Sequence, residues 1–113
     1  MDVLRKAVEM NILGTEYNFE HNSPLLKELC ADGICQQYNK RIAVREIADM
    51  LEDADSMEVK EIRHREVCRH EVIHGFFGEA GLEQYNNDET LVTFLAVNFP
   101  KMAKIFAENG WLE

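Results

Sequence analysis

Hydrophobic and polar positions change rhythm along this chain, from a period near two in the first third to a helical period in the remainder. Residues 8–13 alternate loosely and residues 16–20 cleanly, with Gly14-Thr15 as the turn between two strands. Ser23-Pro24 opens a short helical turn that ends near Leu29. Asp32-Gly33 marks a turn. Residues 34–38 and 41–45 then read as an antiparallel hairpin around Asn39-Lys40. Ile42 and Val44 share one face of that hairpin, and Arg41, Ala43 and Arg45 share the other. Residues 46–53 predict one or two helical turns. The acidic stretch Asp53-Ala54-Asp55-Ser56 is expected to be a solvated loop that caps the next helix, since too few ligands stand at EF-hand spacing for calcium.

From Ser56 to about Ala80 there is no proline, and no glycine before Gly75. Ser56 is the expected N-cap, with Glu58 and Glu61 in the first turns, where the helix dipole favours acid. Val59, Ile62, Val72, Ile73, Phe76 and Phe77 fall on one side of this helix, and Gly81 is its expected C-cap. Residues 60–66 carry mixed charge and read as its solvated face, with His64 an ordinary surface histidine. Residues 83–87 form a polar connection, and a second helix opens at Asn86 or Asn87 with Asp88 and Glu89 in its first turn. Leu91, Val92, Phe94, Leu95 and Val97 make that helix apolar enough to need a packing surface. Phe99-Pro100 should kink or break it. Residues 101–108 continue with Met102, Ile105 and Phe106 inward, and Trp111 and Leu112 fold back on the core. The pattern as a whole predicts one α+β domain over 1–113. Its parts are a strand-rich stretch 1–55, with a hairpin at about 34–45, a long helix 56–80 and a helical part 87–110, the small antiparallel sheet packing on the long helix.

Composition narrows the function. A length of 113 residues supports one core but few elaborate subsites, and 46% hydrophobic residues exclude disorder. A net charge of −9 argues against nucleic acid as a partner, because a phosphate-binding surface needs clustered Lys and Arg. Cys30, Cys35 and Cys68 stand at no zinc-finger spacing, and their odd number gives no disulfide framework, so a reduced, cytoplasmic setting is expected. Residues 1–10 carry Asp2, Arg5, Lys6 and Glu9, so neither a signal peptide nor a membrane span is expected there.

The long helix carries His70-Glu71-Val72-Ile73-His74, an H-E-x-x-H pattern. Histidines four apart stand one turn above each other, so both imidazoles can reach a single Zn²⁺. Glu71, rotated from them, can take a proton instead of binding the metal. Zinc needs a third protein ligand, and no histidine or cysteine follows His74. Glu79 lies on the far side of the same helix. Glu83, in the connection, is possible. Glu89 fits best, because residues 81–86 can return the chain so that the second helix starts beside the histidines. Thr93, one turn on, could hydrogen-bond an imidazole N–H.

These residues resemble the gluzincin branch of the zincin metallopeptidases: His70-Glu71-Val72-Ile73-His74, then a helix bearing Asn87-Asp88-Glu89. The segments RHEVIHGFFGEAGL and NNDETLVTFLAVNFPKM also resemble the small zincin-like proteins of phages and prophages of Gram-positive bacteria. The resemblance implies a zincin-like fold with His70, His74 and Glu89 as zinc ligands and Glu71 as general base. It implies hydrolysis of peptide bonds in a protein or peptide substrate through a zinc-activated water. In such folds an edge strand aligns the substrate by strand addition, and residues 41–45 are the candidate. Two departures stand out. Thr93 occupies a position where many gluzincins carry aspartate, and no downstream histidine is present to stabilise the oxyanion, leaving only Tyr85 as a candidate. The missing oxyanion residue and the small size support a competing expectation, a zinc-binding regulatory or interaction protein that keeps the fold without proteolysis, while the intact Glu71 counts against it. An apo fold with a chance motif is a third.

Overall fold

The computed structural model of the protein describes residues 8–51 and 56–113, so the acidic loop before the long helix lies largely outside the described residues. The elements in chain order are β1 (Val8–Ile12), β2 (Thr15–His21), α1 (Pro24–Leu29), β3 (Gly33–Gln36), β4 (Arg41–Val44), a 3₁₀ turn (Ile47–Asp49), α2 (Met57–Glu79), α3 (Glu83–Asn86) and α4 (Glu89–Glu108). The fold is α+β.

The four strands form one sheet in the order β1-β2-β4-β3. The sheet is mixed, not antiparallel throughout as the alternation alone predicts. The chain reverses direction twice between β2 and β4, once through α1 and once through the β3–β4 hairpin. The two central strands therefore run parallel, with Phe19 opposite Ile42. This also moves Arg41–Val44 away from the edge. Ile42, Ala43 and Val44 are fully buried in the middle of the sheet, and the open edges belong to β1 and β3. The first hairpin turns at Leu13-Gly14, one residue earlier than the sequence indicates. Both residues have positive φ, the geometry of a two-residue turn matched to strand twist, and the Asn11 side chain accepts the Gly14 N–H at 2.8 Å. Tyr17 and Phe19 enter the core while Glu16 and Asn18 stay in solvent, as the alternation requires.

Ser56 caps α2, its hydroxyl accepting the Val59 N–H at 3.2 Å. The helix lies across one face of the sheet, and its contact stripe is narrower and smaller than the apolar wheel predicts. A Cβ on Gly75 would come within 2.8 Å of Ile12 Cδ1, so the helix approaches the sheet closely only because that side chain is missing. Val67 fills the stripe one turn before Glu71, joining a core of Ile12, Tyr17, Phe19, Ile42, Val44 and Met50. The bulkier residues are displaced to the flanks: Val59, Ile62 and Phe76 are half-exposed rather than buried. The end of α2 is a Schellman motif, in which Gly81 N–H bonds the Gly78 carbonyl and Leu82 N–H bonds the Phe77 carbonyl.

The chain then makes the single turn of α3, where the sequence shows only a polar connection, and Asp88 caps α4 by accepting the Leu91 N–H. Pro100 does not end this helix, which runs on to Glu108. Its missing N–H leaves the Ala96 carbonyl without a helical partner, and Arg69 of α2 supplies one through Nε at 2.6 Å. That bond, with Val92 and Ala96 buried beside it, docks the first half of α4 on α2. Among the described residues the second half has no such support. Ile105 and Phe106 stay exposed instead of turning inward, and Trp111 and Leu112 do not fold back on the core.

Candidate metal centre

The docking face of α4 sets the site. Glu89, Val92 and Ala96 are spaced three and seven apart, so all three point at α2, and Glu89 arrives where α2 presents His70 and His74. Glu89 Oε1 stands 3.1 Å from His70 Nε2 and 3.0 Å from His74 Nε2. One donor atom from each of the three residues falls within 4.8 Å of the others. Two donors bound to one tetrahedral zinc at about 2.0–2.1 Å lie roughly 3.3 Å apart, close to the two histidine–glutamate separations here, and two nitrogens with one carboxylate oxygen are a donor set that zinc accepts. Glu83 does not enter it, and neither does Glu79. Glu79 is held at the far end of α2 by Thr15, Tyr17 and Lys40.

The imidazoles are held in a state fit for a cation. His74 Nδ1 lies 2.6 Å from Asn86 Oδ1, an acceptor for an Nδ1 proton; in that tautomer the Nε2 lone pair faces the triangle. Burial and the neighbouring His74 push the His70 pKa down, favouring the neutral ring that a metal needs. The two rings pack edge to face at 4.9 Å. Asn86 thus takes the supporting role that the sequence assigns to Thr93. Thr93 lines the cleft beside His70 and Glu71, but no hydrogen bond joins it to either imidazole among the described residues. The signal for Asn86 was present in the polar run before Glu89. It went unread because the run looks like a helix cap.

Glu71 sits between this triangle and the sheet. Its carboxyl is pushed up to about 7, chiefly by burial, with Glu89 adding to the rise and His74 opposing it. The strand beside it is β3. A Cβ on Gly33 would strike Val67 Cγ1 at 2.7 Å and Glu71 Cγ at 2.9 Å, so the bare glycine is what lets the sheet edge pass over Glu71. The sequence marks Gly33 only as a turn. A cleft of about 460 Å³ runs along this line, with Val67, Ala96 and Val97 among its apolar walls and Arg63 and Glu66 among its polar ones. Residues 60–66 therefore contribute to the cleft and are not merely a solvated face.

His64 is not an isolated surface histidine. It stacks on His21 at 5.5 Å and lies beside Cys68 on α2, outside the triangle. Burial raises the thiols of Cys35 to about 12 and Cys68 to about 11, keeping both neutral. Tyr85 packs its ring on Phe77 at 6.3 Å and is not among the residues that line the cleft. Comparison with protein-family models, with curated proteins and with solved structures finds no match to this chain. Any functional reading therefore rests on the site.

Proposed function

We propose that this chain is a minimal zinc metallopeptidase of zincin type. The observation that carries the reading is the convergence of His70 Nε2 and His74 Nε2 on Glu89 Oε1, with the half-buried Glu71 beside them. His70, His74 and Glu89 would hold the zinc. When bound, zinc polarises a scissile carbonyl and acidifies water. Glu71, with its affinity for a proton near neutrality, takes the proton of the attacking water on a carboxylate oxygen and delivers it to the leaving amine nitrogen. Of the two open edges, β3 is the one packed over Glu71, so an extended peptide added along β3 would pass the site. With four residues in that strand, strand addition fixes only a short stretch of substrate, and further selectivity must come from docking a partner protein. A reduced, cytoplasmic setting, with no nucleic-acid or membrane partner, belongs to the same proposal.

The test uses the Glu71→Gln protein, which keeps shape and ligands but lacks the base, to capture binding partners. Those partners are then offered to the zinc-loaded wild type. Zinc-dependent cleavage of a captured partner, absent with Glu71→Gln, supports the proposal. If the wild type binds the same partners and cuts none, the protein is a zincin-like binding module. If neither form takes up zinc, both readings fail.

A further inference from the structure

The metal site uses one side of α4; another side is apolar and is left largely uncovered by the described residues. Phe94, Leu95, Met102, Ile105 and Phe106 follow one another at spacings of one, seven, three and one, which places them along a single broad stripe of the helix. Phe94 and Ile105 are more than half exposed. Between sheet and α4 the stripe continues into an open groove of about 640 Å³ on the side of α2 away from the histidines. Met10, Phe19, Val72, Phe76 and Phe99 line its walls.

The area available is a large part of what a stable dimer needs. With about 150–250 Å² for each aromatic side chain, the exposed parts of Phe99, Ile105, Phe106, Trp111 and Leu112 present roughly 500 Å². A standard interface takes about 800 Å² from each partner. Charge selects the occupant. Lys101 and Glu108 are exposed on one flank of the stripe, seven residues apart, so they occupy equivalent positions two turns from each other. When two identical helices pair antiparallel, each flank meets the same flank of its mate. Around a two-fold axis near Ile105, Lys101 then faces the partner's Glu108, and the contact occurs twice by symmetry. A parallel pair would not join them. A bilayer is the other apolar surface that could cover a helix of this length and hydropathy. The chain's net charge of −9 repels anionic headgroups, and the Arg69 bond ties α4 to α2.

We infer that the exposed stripe on the C-terminal half of α4 is the interface of an antiparallel homodimer with its two-fold axis near Ile105. Glu89, on the face of α4 that also carries the buried Val92 and Ala96, lies on the opposite side of the helix from the stripe, so the dimer does not use the metal-site face. This inference does not depend on peptidase activity.

Sedimentation equilibrium of the full chain over a micromolar dilution series should give twice the 13.1 kDa chain mass. Ile105→Glu should weaken dimerisation by at least about 100-fold, with zinc uptake and helix content unchanged. Lys101→Glu alone and Glu108→Lys alone should each weaken it roughly tenfold, and the double exchange should restore it. A monomeric wild type, a dimer indifferent to Ile105→Glu, or single exchanges that the double does not rescue would overturn the inference. Should the monomer instead float with vesicles of phosphatidylcholine and phosphatidylglycerol, the stripe is a membrane surface and the dimer is refuted.

Discussion

Glu71 and Glu79 lie two turns apart on α2, both turned toward the sheet, and the protein treats them in opposite ways. Glu79 has only 12% of its side chain exposed, but it is surrounded by donors: Lys40 at 2.7 Å, Tyr17 at 2.5 Å and Thr15 at 2.9 Å. Those bonds hold its carboxyl down to about 2. Glu71 is half-buried against Gly33 and Val67 with no protein donor among the described residues, and desolvation lifts it to about 7. A carboxylate whose lone pairs are all engaged fastens a helix to a sheet. One that burial leaves short of donors and places beside two imidazoles is prepared to exchange a proton. Under the proposed function the two carboxylates divide structure from chemistry within one helix, where the sequence alone offers two glutamates of similar appearance.

The sharpest way to break it is at Glu71. Glu71→Gln should lower peptide turnover by about 10²–10⁴-fold while zinc binding, measured by metal analysis after dialysis, stays near wild type. Glu79→Gln should leave turnover within a few-fold. Equal losses in the two variants would show that both carboxylates are structural. The next effect in size concerns the support behind His74. Asn86→Ala should reduce zinc affinity by about 10–100-fold in competition with a chelator, because the imidazole loses the acceptor that fixes its tautomer. Thr93→Ala, which removes no bond to either histidine, should change affinity little.

How far the sequence could be read follows the same division. The strands, the caps at Ser56 and Gly81, and the meeting of Glu89 with His70 and His74 depend on local spacing and on one short return of the chain. Those were legible. The parallel pairing of β2 with β4 was not, because register between distant strands is decided by how α1 and the hairpin cross over, and no local pattern records that. The passage of α4 through Pro100 was hidden for a similar reason. Its rescue comes from Arg69, twenty-seven residues upstream of the carbonyl it satisfies. Gly33 and Asn86 act through contacts with α2, so each looks in sequence like an ordinary turn or cap residue.

A smaller change should sharpen the contrast at the sheet edge. Gly33→Ala places a methyl group against Val67 Cγ1 and Glu71 Cγ, and Val67 lies in the packed core. Overpacking of this kind costs about 1–3 kcal/mol. Chemical denaturation should show that loss, and turnover should fall further than stability because Glu71 is one of the groups displaced. An alanine tolerated at full activity would mean that β3 does not constrain the base.

The mildest prediction reads the two glutamates through pH in the metal-free chain, where their signs oppose. Glu79 has a folded pKa near 2, below its ordinary value of 4.5. The stability it contributes is therefore complete above about pH 4.5 and is lost as pH falls toward 2. Glu71 has a folded pKa near 7, above the same ordinary value. Folding favours its protonated form, so its contribution is fully present below pH 4.5 and is withdrawn as pH rises through 7. Thermal unfolding of wild type and single variants across this range resolves the two. The advantage of wild type over Glu79→Gln should shrink between pH 4.5 and 2. The advantage of Glu71→Gln over wild type should grow between pH 4.5 and 7 and then level. Zinc should suppress the second effect and leave the first intact, since it draws on the Glu71 end of the helix alone. If both variants track wild type at every pH, the two carboxylates are equivalent and the division of labour along α2 does not exist.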